Sequence, residues 1–266
     1  MAAADGQDRP ASVSPLSGRS LATAVQFLTR LPVPTGATGA RDELSGATAW
    51  FPLVGVLVGA GAAGAFAVAE AIWNPPVAAV VAVASGVALT GAFHEDGLAD
   101  TFDGLWGGWT PEDRLEIMRD SRLGTYGAAA LVLGLGLRIT LLAGLSPGDA
   151  ARALVTAHML GRATVLPLVR LFPAARQTGQ GARVAEPAGL GSWAVATITV
   201  LGVGVIAVGA WLPVVLGAAA MAAWLMATAS QKRVGGITGD VLGAANQLAH
   251  IAALATVAAI TAREVF

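Results

Sequence analysis

The chain has 266 residues, of which 55% are hydrophobic and only 12% charged, and its mean hydropathy is +0.67. That is the composition of an integral membrane protein, since soluble domains carry about 25% charged residues. The net charge of −1 argues against a nucleic-acid partner, and the absence of cysteine excludes disulfides and thiolate ligands, so any metal must be held by oxygen or imidazole.

Residues 1–20 are polar, with Asp5, Asp8, Arg9 and Arg19, and lack the apolar core of a signal peptide. Leu21, Val25, Leu28 and Leu31 then share a helical face in a stretch too short to span, ended by Pro32 and Pro34. This spacing predicts a short interfacial helix within a cytoplasmic N-terminal segment, residues 1–46. Seven apolar segments follow, at 47–73, 75–93, 124–145, 150–172, 190–210, 212–229 and 239–262, each near the ~20 residues that cross a bilayer. The expected fold is all-α, a polytopic helical bundle of about seven transmembrane helices plus short interfacial helices, with residues 47–266 as one transmembrane catalytic domain. Gly55, Gly59 and Gly64, and the pair Gly134 and Gly136, are expected on helix-packing faces.

The short connections near residues 74–76, 146–149 and 211–213 contain no Lys or Arg. The other side collects Arg9, Arg19, Arg30, Arg41, Arg114, Arg119, Arg122, Arg176, Arg183, Lys232 and Arg233, with Arg152 and Arg263 against the bias. Loops 94–123 and 230–240 are therefore expected on the cytoplasmic side of the membrane.

Phe93 to Gly127 concentrates charge in a chain nearly without it. Asp96, Asp100 and Asp103 stand at i, i+4 and i+7, on one helical face, with His94 and Glu95 at its start. Aligned like charges repel unless a cation sits among them, and Mg²⁺ is typically held by carboxylates together with substrate phosphates. A solvated acidic face, or aspartates acting as caps, is the plainer reading. Thr110, Pro111, Glu112 and Asp113 start a capped helix whose Leu115, Ile117 and Met118 suit a membrane surface. Arg119, Asp120 and Arg122, beside Gly124, suit phosphate binding or interfacial snorkelling. Within the spans, Arg162 with His158 is a functional candidate, Arg138 can pair with an acid, and Glu70 is structural. Asp240, after Gly235 and Gly236, opens the last span on the charged side.

The run His94-Glu95-Asp96-Gly97-Leu98-Ala99-Asp100-Thr101-x-Asp103-Gly104 resembles the signature of the cobalamin synthase family, the adenosylcobinamide-GDP ribazoletransferases of bacteria and archaea. The resemblance continues through Arg114 to Gly127 and through Gly235-Gly236-x-Thr238-Gly239-Asp240-x-Leu242-Gly243-Ala244. It extends to Phe27–Pro34, Phe51–Gly55, and Arg162 with Pro173–Arg176, so it covers nearly the whole chain. Two positions depart from the family: Gln247 and His250 stand where relatives usually have acids, and Arg119 stands where Lys is common.

The resemblance implies that α-ribazole, or its 5′-phosphate, is joined to adenosyl-GDP-cobinamide with release of GMP. It implies Mg²⁺ held by Asp96, Asp100, Asp103 and Asp240, with Glu95 beside them, and substrate contacts from Arg119, Asp120, Arg122, Arg162, Gly235 and Gly236. His94 or an aspartate would accept the hydroxyl proton, and Phe102, Trp106 and Trp109 would either line a corrinoid cavity or anchor the interface. The lipid bilayer is the expected surrounding, no nucleic acid is expected, and self-association into a homo-oligomer stays open. Two alternatives are weaker: a CDP-alcohol-type phosphotransferase has an arginine after Ala99 where this chain has Asp100, and a secondary transporter would place its acids near the midplane.

Overall fold

The computed structural model describes residues 17–33, 44, 46–176 and 188–264. Asp5, Asp8, Arg9, Pro34, Arg41 and Arg183, named above, lie outside the described residues, as does the side chain of Arg263. Among the described residues the regular structure is helical, apart from one parallel bridge between Ala174 and Ile237.

Helix α1 (Gly18–Leu28) starts at Ser17, whose hydroxyl accepts from the Ser20 N–H. It buries Ala24 and Leu28 in a cluster with Phe51, Val54 and Val165. A 3-10 turn then leads into α2 (Phe51–Glu70). Helix α3 (Pro75–Thr90) is capped by Asn74, with prolines in its first turn, where a missing N–H costs nothing. At Gly91 and Ala92, both with positive φ, the chain turns by 90° into α4 (Phe93–Gly107).

Helix α5 (Pro111–Ile117) has a capping box in which Thr110 and Asp113 satisfy each other's backbone N–H. Next come α6 (Thr125–Ala143), α7 (Pro147–Ala163) and α8 (Val165–Leu171). Pro167 in α8 lacks a donor and would crowd the carbonyl of Ala163, which is where the helix breaks. The remaining helices are α9 (Leu190–Val208), α10 (Leu212–Val234) and α11 (Gly239–Glu264).

The all-helical bundle with membrane-spanning helices is as expected, but the count of seven spans is not confirmed. Four helical stretches among the described residues are long and apolar enough to cross a membrane: Thr48–Glu70, Thr125–Ala143, Leu190–Val234 and Gly239–Ala262. The pair α3 and α4 makes a fifth only if it is counted as one span bent through 90°. The expected span at 75–93 is thus a 16-residue helix that turns sharply, and the one at 150–172 is broken at Thr164 and carries buried His158 and Arg162. The expected spans at 190–210 and 212–229 fall in one 45-residue apolar stretch, interrupted at Gly209.

Helices α2 and α7 make the most extensive contact, and α11 packs against α10, α4 and α7. Gly55 and Gly59 let α2 touch the backbone of α7 at His158–Met159 and Leu154–Val155. Gly64 and Gly136 have no neighbour within 4 Å, so the expected packing role holds for part of each group only. Helix α5 also departs from expectation. Met118 is 3% exposed and lies on Gly104, so the apolar side of this segment covers α4 rather than a membrane surface.

Candidate active site

Helix α4 runs against α6 and α11, and two glycines set how close it comes. A Cβ at Gly97 would stand 2.9 Å from the Asp240 carbonyl oxygen and 3.2 Å from the Gly243 Cα, so the start of α11 meets α4 backbone to backbone. Asp240, on the first turn of α11, is thereby brought beside the aspartates of α4. Asp96 is exposed and Asp100 half-buried, and Asp100 feels the charges of Asp96, Asp240 and Asp103. Helix α4 is not one of the four spans, and partial burial together with those three carboxylates pushes the Asp100 carboxyl up to about 7.

Loops from distant parts of the chain close over this end of the bundle. Residues 173–175 pair with Ile237: the Ile237 N–H donates to the Pro173 carbonyl and the Ala175 N–H to the Ile237 carbonyl, each at 2.9 Å. This pairing leaves Arg176 beside Asp240, with Nη1 3.7 Å from Oδ2, and Arg119 is within electrostatic reach of Arg176. Arg176 also donates to the Leu115 carbonyl, and Arg233 donates to the Leu105 carbonyl at 2.7 Å while its guanidinium lies 4.6 Å over the Trp106 ring. Phe102 stacks on Trp106 at 4.7 Å, whereas Trp109 is 91% exposed.

The other expected site residues have different surroundings. Asp103 is buried, and its two oxygens accept from the Gly124 and Gly127 N–H groups at 2.8 Å, so it holds the start of α6. Side chains at 124 and 127 would occupy the space of that carboxylate, which is why both positions are glycine. Glu95 points into the bundle, where Arg138 Nη1 donates to it at 2.9 Å and Gln247 Nε2 at 3.2 Å. Its Oε1 is thus taken up by a buried ion pair. His94 is 4% exposed and lies inside the bundle too.

Arg162, 2% exposed, bonds to His158 and not to the loops. Asp120 and Arg122 pair with each other on the surface, and the guanidinium holds the Asp120 carboxyl down to about 2. Gly235 ends α10 in the left-handed region at φ 80°, and Gly236 has no room for a side chain against Ala175 N at 2.7 Å. The turn itself therefore accounts for both glycines.

The structure thus brings together Asp96, Asp100, Asp240, Arg119 and Arg176. Arg176 is the residue that sequence reasoning left out of the site, and its signal was a lone cation in the short segment after α8. Among the described residues no group of three or more His, Cys, Asp or Glu side chains could hold a metal ion by itself. Asp96, Asp100 and Asp240 nevertheless lie within electrostatic reach of one another, with one cation, Arg176, in ion-pair range of Asp240. Carboxylate oxygens are the kind of donor Mg²⁺ takes when phosphates complete its coordination.

The cobalamin-5-phosphate synthase family profile matches residues 20–258. The chain is similar to proteins named adenosylcobinamide-GDP ribazoletransferase. The one from Ralstonia nicotianae is 40% identical over 244 residues, covering 89% of this chain and 93% of its own. The one from Azorhizobium caulinodans is 44% identical over 243 residues, covering 87% and 92%, and the one from Shewanella frigidimarina is 39% identical over 250 residues, covering 89% and 93%. No solved structure matches the chain.

Proposed function

Because the chain belongs to the cobalamin-5-phosphate synthase family, we propose that it joins α-ribazole or its 5′-phosphate to adenosyl-GDP-cobinamide, giving adenosylcobalamin or its phosphate and GMP. In this reaction a ribose hydroxyl oxygen attacks the cobinamide-side phosphorus, the bond from that phosphorus to the GMP oxygen breaks, and the hydroxyl proton must be taken up. The observation that carries the reading is the meeting of Asp96 and Asp100 on α4 with Asp240 on α11, made possible by Gly97 and flanked by Arg176 and Arg119.

Asp96, Asp100 and Asp240 would hold Mg²⁺, which when bound supplies positive charge on the diphosphate oxygens. Arg176 and Arg119 bind phosphate oxygens from the opposite side and stabilise the departing GMP. The proton passes to a carboxylate of the same set, because His94 is inside the bundle. The stacked Phe102 and Trp106, under Arg233, offer a flat surface at the same end of the protein for a large ring. The charged loops face the cytoplasm of the bacterial inner membrane, in keeping with the absence of Lys and Arg from the three short connections.

The test is direct. Protein purified in lipid, given GDP-cobinamide, α-ribazole and Mg²⁺, should release GMP and form a complete corrinoid, and Asp100→Asn should lose that activity while inserting normally. Full turnover by Asp100→Asn would overturn the assignment.

A further inference from the structure

The hydroxyls of Thr90, Thr140, Thr199, Thr256 and Thr261 each donate to the carbonyl four residues earlier in their own helix. That is the ordinary use of a hydroxyl on an apolar helix. Ser230 on α10 does otherwise. It is fully buried, and its Oγ reaches forward past the end of the helix to donate to the Gly236 carbonyl at 2.6 Å. Gly236 is buried as well, pressed against the backbone of 173–175, where a Cβ would stand 2.7 Å from Ala175 N.

The turn that Ser230 holds lies between the cation and the acid of one ion pair. Ile237, the next residue, is bridged to the segment before Arg176: its N–H donates to the Pro173 carbonyl, and its carbonyl accepts from the Ala175 N–H. Thr238, one residue further, accepts from the Val241 N–H at 3.2 Å and donates to Asp240 Oδ2 at 3.3 Å. The single turn 236–238 therefore sets both where Arg176 stands and which way Asp240 faces. Arg176 is anchored at one nitrogen, which donates to the Leu115 carbonyl. Its Nη1, 3.7 Å from Asp240 Oδ2, makes an ion pair but lies beyond hydrogen-bond distance, so it keeps its donors for an incoming anionic oxygen.

We propose that Ser230 is a positioning residue for Arg176: by fixing the Gly236 carbonyl it fixes Ile237, and through the bridge to 173–175 it holds the guanidinium against the diphosphate of the nucleotide-bearing substrate. This rests on the ribazole-transfer reading above and adds to it a residue that touches no substrate. Without the hydroxyl the buried Gly236 carbonyl loses its side-chain partner, and the turn shifts to satisfy it. The shift reaches Arg176 through the two backbone hydrogen bonds of Ile237. α-Ribazole carries no phosphate, so its binding does not depend on where Arg176 stands.

The experiment uses the full chain in lipid nanodiscs and measures GDP binding by calorimetry in Mg²⁺ buffer, beside the KM values for GDP-cobinamide and α-ribazole. Ser230→Ala should weaken GDP about tenfold, the lower end for a lost hydrogen bond to a charged group, and raise the KM for GDP-cobinamide alike. The KM for α-ribazole should not move. Arg176→Gln should weaken GDP at least as much, and adding Ser230→Ala to it should change nothing further, because the serine acts only through the arginine. Ala175→Pro breaks the same bridge from outside the helices, by removing the N–H that the Ile237 carbonyl accepts, and should reproduce Ser230→Ala even if the α10 variant fails to insert. Wild-type protein that does not bind GDP, unchanged GDP affinity in Ser230→Ala or Ala175→Pro, a KM for α-ribazole that rises in step, or a loss that multiplies with that of Arg176→Gln would each overturn the proposal. The predicted GDP pattern in a protein that releases no GMP would sink the ribazole-transfer reading and leave the role of Ser230 standing.

Discussion

Replacing Gly97 by alanine tests the geometry of the acidic site without touching a charged residue. The added methyl carbon would stand 2.9 Å from the Asp240 carbonyl oxygen, 3.2 Å from the Gly243 Cα and 3.3 Å from the Asp240 Cα. All three atoms are backbone, so no side chain can rotate away. Restoring ordinary contact requires α4 and α11 to separate by about half an ångström, a strain of about 1–3 kcal/mol by comparison with other overpacked cores. The separation falls between Asp96 and Asp100 on one helix and Asp240 on the other. A displacement of ~1 Å at reacting groups costs on the order of 100-fold in rate, so half of that predicts a loss of about 10-fold in kcat. GMP release in lipid at saturating Mg²⁺ measures it, with Gly136→Ala as control because that position has no neighbour within 4 Å. If Gly97→Ala turns over as fast as the control, the close approach of these helices does not set the site, and the reasoning fails.

Asp100→Ala and Asp240→Ala should each cripple GMP release, with the double variant little worse than either single one; losses that multiply would place the two residues in independent roles. Chelation of divalent cations should abolish turnover and Mg²⁺ should restore it, and activity that persists in metal-free buffer would refute the proposed cofactor. Asp103→Ala leaves the buried Gly127 N–H and the part-buried Gly124 N–H unanswered and should cost about 3 kcal/mol of stability in a denaturation assay, from hydrogen bonds to a charged acceptor. The folded-state value of about 7 for Asp100, above its ordinary 3.8, means that the native protein binds the extra proton between those values. Stability without divalent cations should therefore fall as pH rises from about 4 to 7, and Asp100→Asn should flatten that slope.

Sequence by itself determined the membrane class, the concentration of acids at 95–103, the capped helix at Thr110 and the helix start at Asp240, whereas the expected loop at 94–123 opens with the helix Phe93–Gly107. Each of these is written in short-range terms, as apolar run length, the spacing of acids along one helix, or a cap three residues before its partner. The direction in which each acid points was not legible in this way. Asp96, Asp100 and Asp103 have the spacing of one face, yet Asp103 is claimed by the backbone of Gly124 and Gly127 while Asp96 stays exposed. Glu95 and Arg138 find each other only because α4 doubles back along α6, after a turn at Gly91 and Ala92 that spacing does not announce. The same turn shortened an expected span, and Pro167 with the buried Arg162 disqualified another. Arg176 reached Asp240 through a two-residue bridge to Ile237, and His158 met His250 across helices far apart in sequence. Hydropathy and periodicity record what one helix offers along its own length, whereas burial and charge pairing depend on which other helix arrives at each face, and that is decided only when the bundle packs.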